Sequence, residues 1–207
     1  MATTPRSPYQ AAARQLLRTT LLETARELLR ERRWTDITMA DVAKGAGVSR
    51  QTLYNEFGTR DGFVQAYLLY DADRILTAVE HAIESAGDSP ADALERAFRV
   101  FLETIEQDPL AVTVVSGDDP DGLLALVTTR GGPVLRIATG RLAGAIRRNW
   151  PAADERDVDM LAETLVRLAI SHAALPDGDI AETAASISQL LTPFAELALL
   201  RAAVDGS

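Results

Sequence analysis

Between Ser49 and Phe57 the chain reads Ser-Arg-Gln-Thr-Leu-Tyr-Asn-Glu-Phe. At about 100° per residue, Leu53 and Phe57 point one way together with Val48, while Gln51, Thr52 and Asn55 point the other way. Glutamine and asparagine amides can pair bidentately with adenine in a major groove, and a threonine methyl can pack on a thymine methyl. Arg50 and Tyr54 fall beside the apolar stripe, where a guanidinium and a phenol can reach backbone phosphates. Glu56 is the misfit. It belongs on the flank away from phosphate, or it accepts a hydrogen bond from cytosine. The chemistry open to this set is recognition of duplex DNA.

Such a helix must be held by others, and the surrounding residues supply them. Thr38-Met-Ala-Asp41 reads as a capping box opening a short helix, and Gly45 and Gly47 allow a turn after Ala43, whose small side chain lets two helices approach. Ser49 caps the next helix, Gly58 ends it, and Thr59 starts a fourth that runs to about Ser85. Upstream, Leu17, Leu21, Ala25, Leu28 and Leu29 keep helical spacing over about Ala11–Arg32, with the arginines off that stripe. Trp34 closes this helix as a core plug. Residues 1–9, with two prolines and Arg6, read as a loose arm. The whole is a helix-turn-helix arrangement.

The overall charge opposes DNA binding until it is divided. The 207 residues carry a net charge of −9, yet residues 1–62 hold ten Arg/Lys against seven Asp/Glu, a net of +3. The remainder holds 11 basic and 23 acidic residues, a net of −12. Phosphate attraction depends on local charge, so a basic head can bind DNA while an acidic body stays off it. With 47% apolar and 25% charged residues the composition is that of a globular protein. The chain contains no cysteine, which excludes disulfides, thiolate zinc sites and cysteine nucleophiles, and fits a reducing cytoplasm. No signal-peptide pattern and no run of 18 apolar residues is present, so a cytoplasmic location away from the membrane is expected.

Beyond the head, nearly everything reads as helix. Ser89-Pro90 opens a helix to about Gln107, Pro109 restarts a shorter one, and another short helix follows the Ser116–Pro120 loop to about Thr128. Gly131-Gly132-Pro133 opens a helix ending at Asn149-Trp150-Pro151. Two long helices finish the chain, about Asp154–Leu175 and Asp179–Ala203, with Pro193 expected to kink the second. Val112–Val115 is too short a β-branched run to build a sheet. The expected fold is all-α, with about nine to ten helices: a DNA-binding head over residues 1–62 and a larger body over 63–207.

Residues 20–68 resemble the DNA-binding region of the tetracycline-repressor (TetR) family of bacterial transcriptional regulators. The matching features, in order, are Ile37-Thr38, Val42-Ala43, Ala46-Gly47-Val48-Ser49, Leu53-Tyr54, Phe57 and Thr59-Arg60-Asp61. The resemblance implies DNA contacts at Thr38, Arg50, Gln51, Thr52, Tyr54, Asn55 and Arg60. Asn55 and Glu56 depart from the family pattern, which has an aromatic and then a basic residue there, so base reading by Asn55 gains weight over phosphate clamping.

The resemblance also implies a homodimer joined by the last two helices. The sequence supports this independently, because Leu161, Leu165 and Leu168 lie in rows around a cylinder apolar on most sides, as do Ile187, Leu190, Leu191 and Phe194. An effector pocket in the body is implied too. Its candidate lining is Phe98, Phe101, Leu102, Ile105, Val127, Leu135 and Ile137, with Arg136, Arg167 or His172 to meet a carboxylate. So apolar a lining suits a hydrophobic small-molecule effector such as a fatty acyl compound. The expected function is a ligand-responsive repressor of a pseudo-palindromic operator. Two alternatives stay open: a small-molecule-binding or enzymatic all-α protein using the head for interaction, and an architectural DNA binder without an effector. No GxSxG, Walker or dinucleotide motif occurs, so no catalytic residues and no cofactor are expected. Nor is a metal site expected: Gly117–Gly122 echoes a calcium loop but has Thr128 where the loop needs a bidentate Glu, and the chain has only His81 and His172.

Overall fold

The computed structural model describes residues 8–108 and 132–204, and every regular element among them is helical. In chain order these are α1 (Pro8–Glu31), a 3-10 turn (Trp34–Asp36), α2 (Met39–Gly45), α3 (Arg50–Phe57), α4 (Arg60–Glu84), α5 (Pro90–Glu106), α6 (Gly132–Asn149), α7 (Glu155–Ala174) and α8 (Ile180–Val204). The expected short helices between Pro109 and Thr128, the Val112–Val115 run and the Gly117–Gly122 turn lie outside the described residues. One boundary is corrected. The arm expected through residue 9 already turns helical at Pro8, because proline is tolerated at the first helical position, where its missing N–H would have no partner anyway.

The chain divides into two compact units, residues 1–70 and 71–207. In the first, Leu21, Leu22, Ala25 and Leu29 form the buried stripe of α1, with Leu17 and Leu28 only half-buried. They share a core with Trp34, Ile37, Val42, Leu53, Phe63 and Tyr67. α1 and α2 come close at Gly45, where a Cβ would lie 2.6 Å from the Thr24 methyl, and Ala43 is buried. The turn proper falls on Gly47, whose φ of 69° lies in the left-handed region that glycine enters without strain.

In the second unit α8 packs along α5, and α6 packs against α7. Phe98, Leu102, Leu142, Ile146, Val158, Leu161 and Ile187 are among the residues of one apolar core. The buried Ser188 hydroxyl donates to the Ala91 carbonyl at 2.9 Å, fixing α8 to the first turn of α5. Arg141 on α6 reaches α4, bonding both Glu80 oxygens at 2.8 Å and also Asp73. The Arg141 guanidinium, with Arg148 adding its charge, outweighs partial burial and holds the Glu80 carboxyl below its usual range.

Asp71 and Asp108 are buried carboxylates, at 6% and 1% exposure, bridged by Arg74 at 3.1 and 3.3 Å. Burial, reinforced by the hydrogen bond and charge of Asp108, pushes Asp71 up to about 7 against the pull of Arg74.

Candidate nucleic-acid interface and effector core

The N-terminus of α2 is closed as its sequence dictates. Thr38 Oγ1 accepts from the Asp41 N–H at 3.1 Å, and the Asp41 carboxylate accepts from the Thr38 N–H at 2.9 Å and the Thr38 hydroxyl at 2.7 Å. These bonds from Thr38 hold Asp41 below its usual pKa. Ser49 caps α3 by accepting from the Thr52 N–H at 3.0 Å, and its hydroxyl also pairs with that of Thr52 at 2.8 Å. Leu53 and Phe57 are buried, Phe57 meeting Phe63 edge-to-face with centroids 4.9 Å apart, so the roll of α3 about its axis is fixed.

That roll leaves Gln51 and Asn55 exposed. Gln51 Nε2 donates to Asn55 Oδ1 at 2.8 Å, aligning the two amides side by side one turn apart. On one flank the Arg50 guanidinium lies 5.4 Å from the Tyr54 ring centroid. On the other flank Glu56 accepts from Arg14 Nε with both oxygens at 2.8 Å, and from Arg18 Nη1 at 2.8 Å. Its side chain is only 8% exposed. Burial works against the charge, but Arg14 and Arg18 outweigh it and hold the carboxyl below its usual range. The Glu56 carboxylate is thus engaged by two arginines of α1.

Arg60 is half-buried in the first turn of α4. Its guanidinium donates to the Ile37 carbonyl at 3.0 Å and the Trp34 carbonyl at 3.4 Å, and lies 4.5 Å from the Trp34 ring centroid. It holds the chain just ahead of Thr38. Arg14 and Arg18 come to this flank from α1, where their i, i+4 spacing off the apolar stripe is the signal the sequence offers.

Two family models match this chain: one for bacterial regulatory proteins of the tetR family over residues 21–67, and one for the bacterial tetracyclin repressor C-terminal domain over residues 88–193. The transcriptional regulator AlkX of Mycobacterium tuberculosis (strain ATCC 25618 / H37Rv) is 39% identical over 196 residues, 95% of this chain and 93% of its own. The chain belongs to the TetR family. It is thus one of the family's helix-turn-helix transcriptional regulators. Among solved structures, the TetR family repressor AlkX from Dietzia sp. strain DQ12-45-1b, implicated in biodegradation of n-alkanes, superposes with a TM-score of 0.79. It is 32% identical and covers 88% of this chain and 96% of that one. The regulator EthR of M. tuberculosis is 38% identical over 89 residues, 41% of this chain and 39% of its own. These relatives are transcriptional regulators.

In the body of this TetR-family chain, Phe98 and Leu102 are buried, and Phe101 and Leu135 are partly buried against the same core. His172 meets Phe98 edge-to-face at 6.0 Å. Ile105 is half-buried. The structure does not bring the remaining candidates to this core. Ile137 is 46% exposed, Arg136 is exposed, and Arg167 lies on the surface paired with Glu163 at 2.6 Å. Val127 lies outside the described residues. Of the apolar residues expected at a subunit interface, Leu161, Leu165 and Ile187 are buried within the single chain, and Leu168, Leu191 and Phe194 are half-buried. Leu190 stands 70% exposed, as does much of Leu197 on the same helix and Met160 on α7. No helix among the described residues is long and apolar enough to cross a membrane.

Proposed function

We propose that this regulator is a homodimeric repressor whose α3 helices read a pseudo-palindromic operator and which is released by a hydrophobic small molecule. The observation that carries the reading is the outward amide pair of Gln51 and Asn55 on a helix whose opposite face is locked by Leu53 and Phe57. Two such amides can address adenine edges in the major groove, Thr52 a neighbouring thymine methyl, and Arg50 and Tyr54 one phosphate wall. Thr38 stands exposed at the start of α2 for a backbone contact, and Arg60 supports that turn from behind. The two-fold operator follows from a two-fold protein, with half-sites about one helical turn apart. A head over residues 1–62 and a body over 63–207 divide the labour, the basic part meeting DNA and the acidic part the effector.

Dimerisation through α7 and α8 is supported by the exposed Leu190, Leu197 and Met160, large apolar side chains that a second subunit would cover. The effector reading rests on Phe98, Phe101, Leu102 and Leu135 in one apolar core, with the His172 imidazole against Phe98. The similarity to AlkX, whose Dietzia form is implicated in biodegradation of n-alkanes, favours a long-chain hydrocarbon or fatty acyl effector. An effector that prefers a different spacing of the two heads lowers operator affinity by that preference. No catalytic step enters this scheme, and it needs no metal or cofactor. Its place of action is the cytoplasm, where the operator is.

Gel shifts test it. Gln51→Ala with Asn55→Ala abolishes sequence preference while leaving weak binding to all duplexes, and a C12–C18 fatty acid series weakens wild-type operator binding. Unchanged preference in the double variant would reject the reading of α3, and an indifferent fatty acid series would reject the effector class.

A further inference from the structure

A helix lying in a major groove faces two walls of phosphate, one along each flank. On α3 the flank with Arg50 and Tyr54 is equipped for this. Counting about 100° per residue, Glu56 falls on the opposite flank, between Thr52 and Leu53. A bare carboxylate there would repel the second wall. It is not bare, because Arg14 and Arg18 of α1 cover it.

We propose that Arg14 and Arg18, oriented by Glu56, form a second phosphate-binding site of the DNA interface, on the flank of α3 opposite Arg50 and Tyr54. This rests on the reading of α3 as the DNA-contacting helix. Three observations carry it. First, the cluster of two guanidiniums and one carboxylate keeps a net charge of +1 beside the reading face. Second, donors remain. Arg14 uses Nε on Glu56, while Arg18 uses Nη1 on the Glu56 carboxylate and, at 3.3 Å, on the Glu56 carbonyl. Neither the Arg14 terminal nitrogens nor Arg18 Nη2 donates a hydrogen bond to a described residue. The two side chains are 41% and 33% exposed, so those N–H groups are accessible to an anion.

Third, both long side chains are already ordered. The carboxylate grips each one, and Arg18 also lies 4.6 Å from the Phe57 ring centroid. Ordered guanidinium forks lose less conformational entropy on taking a phosphate than free arginines do, and their planar donors match phosphate oxygens. Glu56 is therefore a positioning residue. It aims the pair and subtracts one charge, which limits attraction to DNA of any sequence.

The experiment uses the full-length protein and two duplexes, one selected by the wild type from a random pool and one scrambled, with binding measured from 50 to 200 mM salt. Arg14→Ala with Arg18→Ala lowers the log–log salt slope by about 0.9 for each protomer bound, on both duplexes alike, as loss of one phosphate contact does. Glu56→Gln tightens binding to the scrambled duplex and shrinks the ratio between the two duplexes several-fold. An unchanged slope in the alanine variant overturns the proposal, as does an unchanged ratio in Glu56→Gln. A melting curve accompanies each variant. Should the alanine variant be unfolded, Arg14→Lys with Arg18→Lys keeps the charge and loses the fork: affinity falls several-fold on both duplexes at a retained slope, and unchanged affinity counts against the site. Because the scrambled duplex alone reports the slope, a wild type without sequence preference would reject the reading of α3 without being mistaken for failure of the Arg14–Arg18 site.

Discussion

Gly62, in the first turn of α4, faces the end of the reading helix. A Cβ at this position would lie 2.3 Å from the Phe57 carbonyl oxygen and 3.4 Å from its carbonyl carbon. Carbon–oxygen contacts settle at about 3.3 Å or more. Gly62→Ala must therefore open the α3–α4 join by about 1 Å, and the obstacle is backbone, which cannot rotate aside. Alanine in a helix interior ordinarily gains up to ~1 kcal/mol over glycine. Overpacking typically costs about 1–3 kcal/mol, and near the upper end when main chain must move. The net expectation is a loss of about 1–2 kcal/mol in the head. Gly140 on α6 supplies the opposite case: nothing lies within 4 Å of its would-be Cβ, so Gly140→Ala gains about 0.5–1 kcal/mol. The two tryptophans separate the readouts, since Trp34 is buried in the first unit and Trp150 in the second. Urea unfolding followed by Trp34 fluorescence in a Trp150→Phe background should show Gly62→Ala lowering the midpoint by roughly 0.5–1 M, given a slope of about 2 kcal/mol/M. Operator affinity should fall with it, because the end of α3 shifts. A midpoint that rises would mean that the Cβ is accommodated without displacing the Phe57 carbonyl.

The buried Asp71 titrates in the neutral range. With a folded pKa of about 7 against 3.8 for an unhindered Asp, the native state binds the extra proton between those values. Stability from this group is thus present below about pH 4 and lost as pH rises toward 7. Asp71→Asn should flatten the decline of the Trp150-monitored urea midpoint between pH 5 and 8, and an equally steep decline in both proteins would contradict the assignment. Arg60→Ala removes two carbonyl bonds and the stack on Trp34, and should cost about 1–2 kcal/mol in the head by the same Trp34-monitored unfolding. A loss of DNA affinity with stability intact would mean instead that Arg60 touches DNA directly. Leu190→Glu places a charge on the exposed face of α8 and should turn a dimer into a monomer in sedimentation; an unaltered mass would move the interface elsewhere.

Local rules made the head legible. The Ser49 cap, the Thr38–Asp41 box and the division of α3 into a Leu53–Phe57 face and a Gln51–Asn55 face all depend on residues within four or so positions of each other. What stayed hidden depends on residues far apart in the chain. Glu56 looks like an intruder until Arg14 and Arg18, 42 and 38 residues away, close around it. The carbonyls of Ile37 and Trp34, 23 and 26 residues from Arg60, accept from its guanidinium. In the body, helical periodicity marks Leu161, Leu165 and Ile187 as apolar, but it cannot tell burial within one subunit from burial between two. The structure places all three in the single-chain core and leaves Leu190 outside. The Asp71–Arg74–Asp108 cluster carries no sequence signal, since isolated polar residues on helices usually face water.

In the proposed regulator α3 reads sequence through Gln51 and Asn55. Selection of duplexes from a randomised pool by the wild type tests it most directly. The expected outcome is enrichment of a pseudo-palindrome with adenines at matched positions of two half-sites about one helical turn apart, and loss of preference at those positions alone in Gln51→Ala with Asn55→Ala. A pool that stays random, or an enriched site to which the double variant is indifferent, would contradict it.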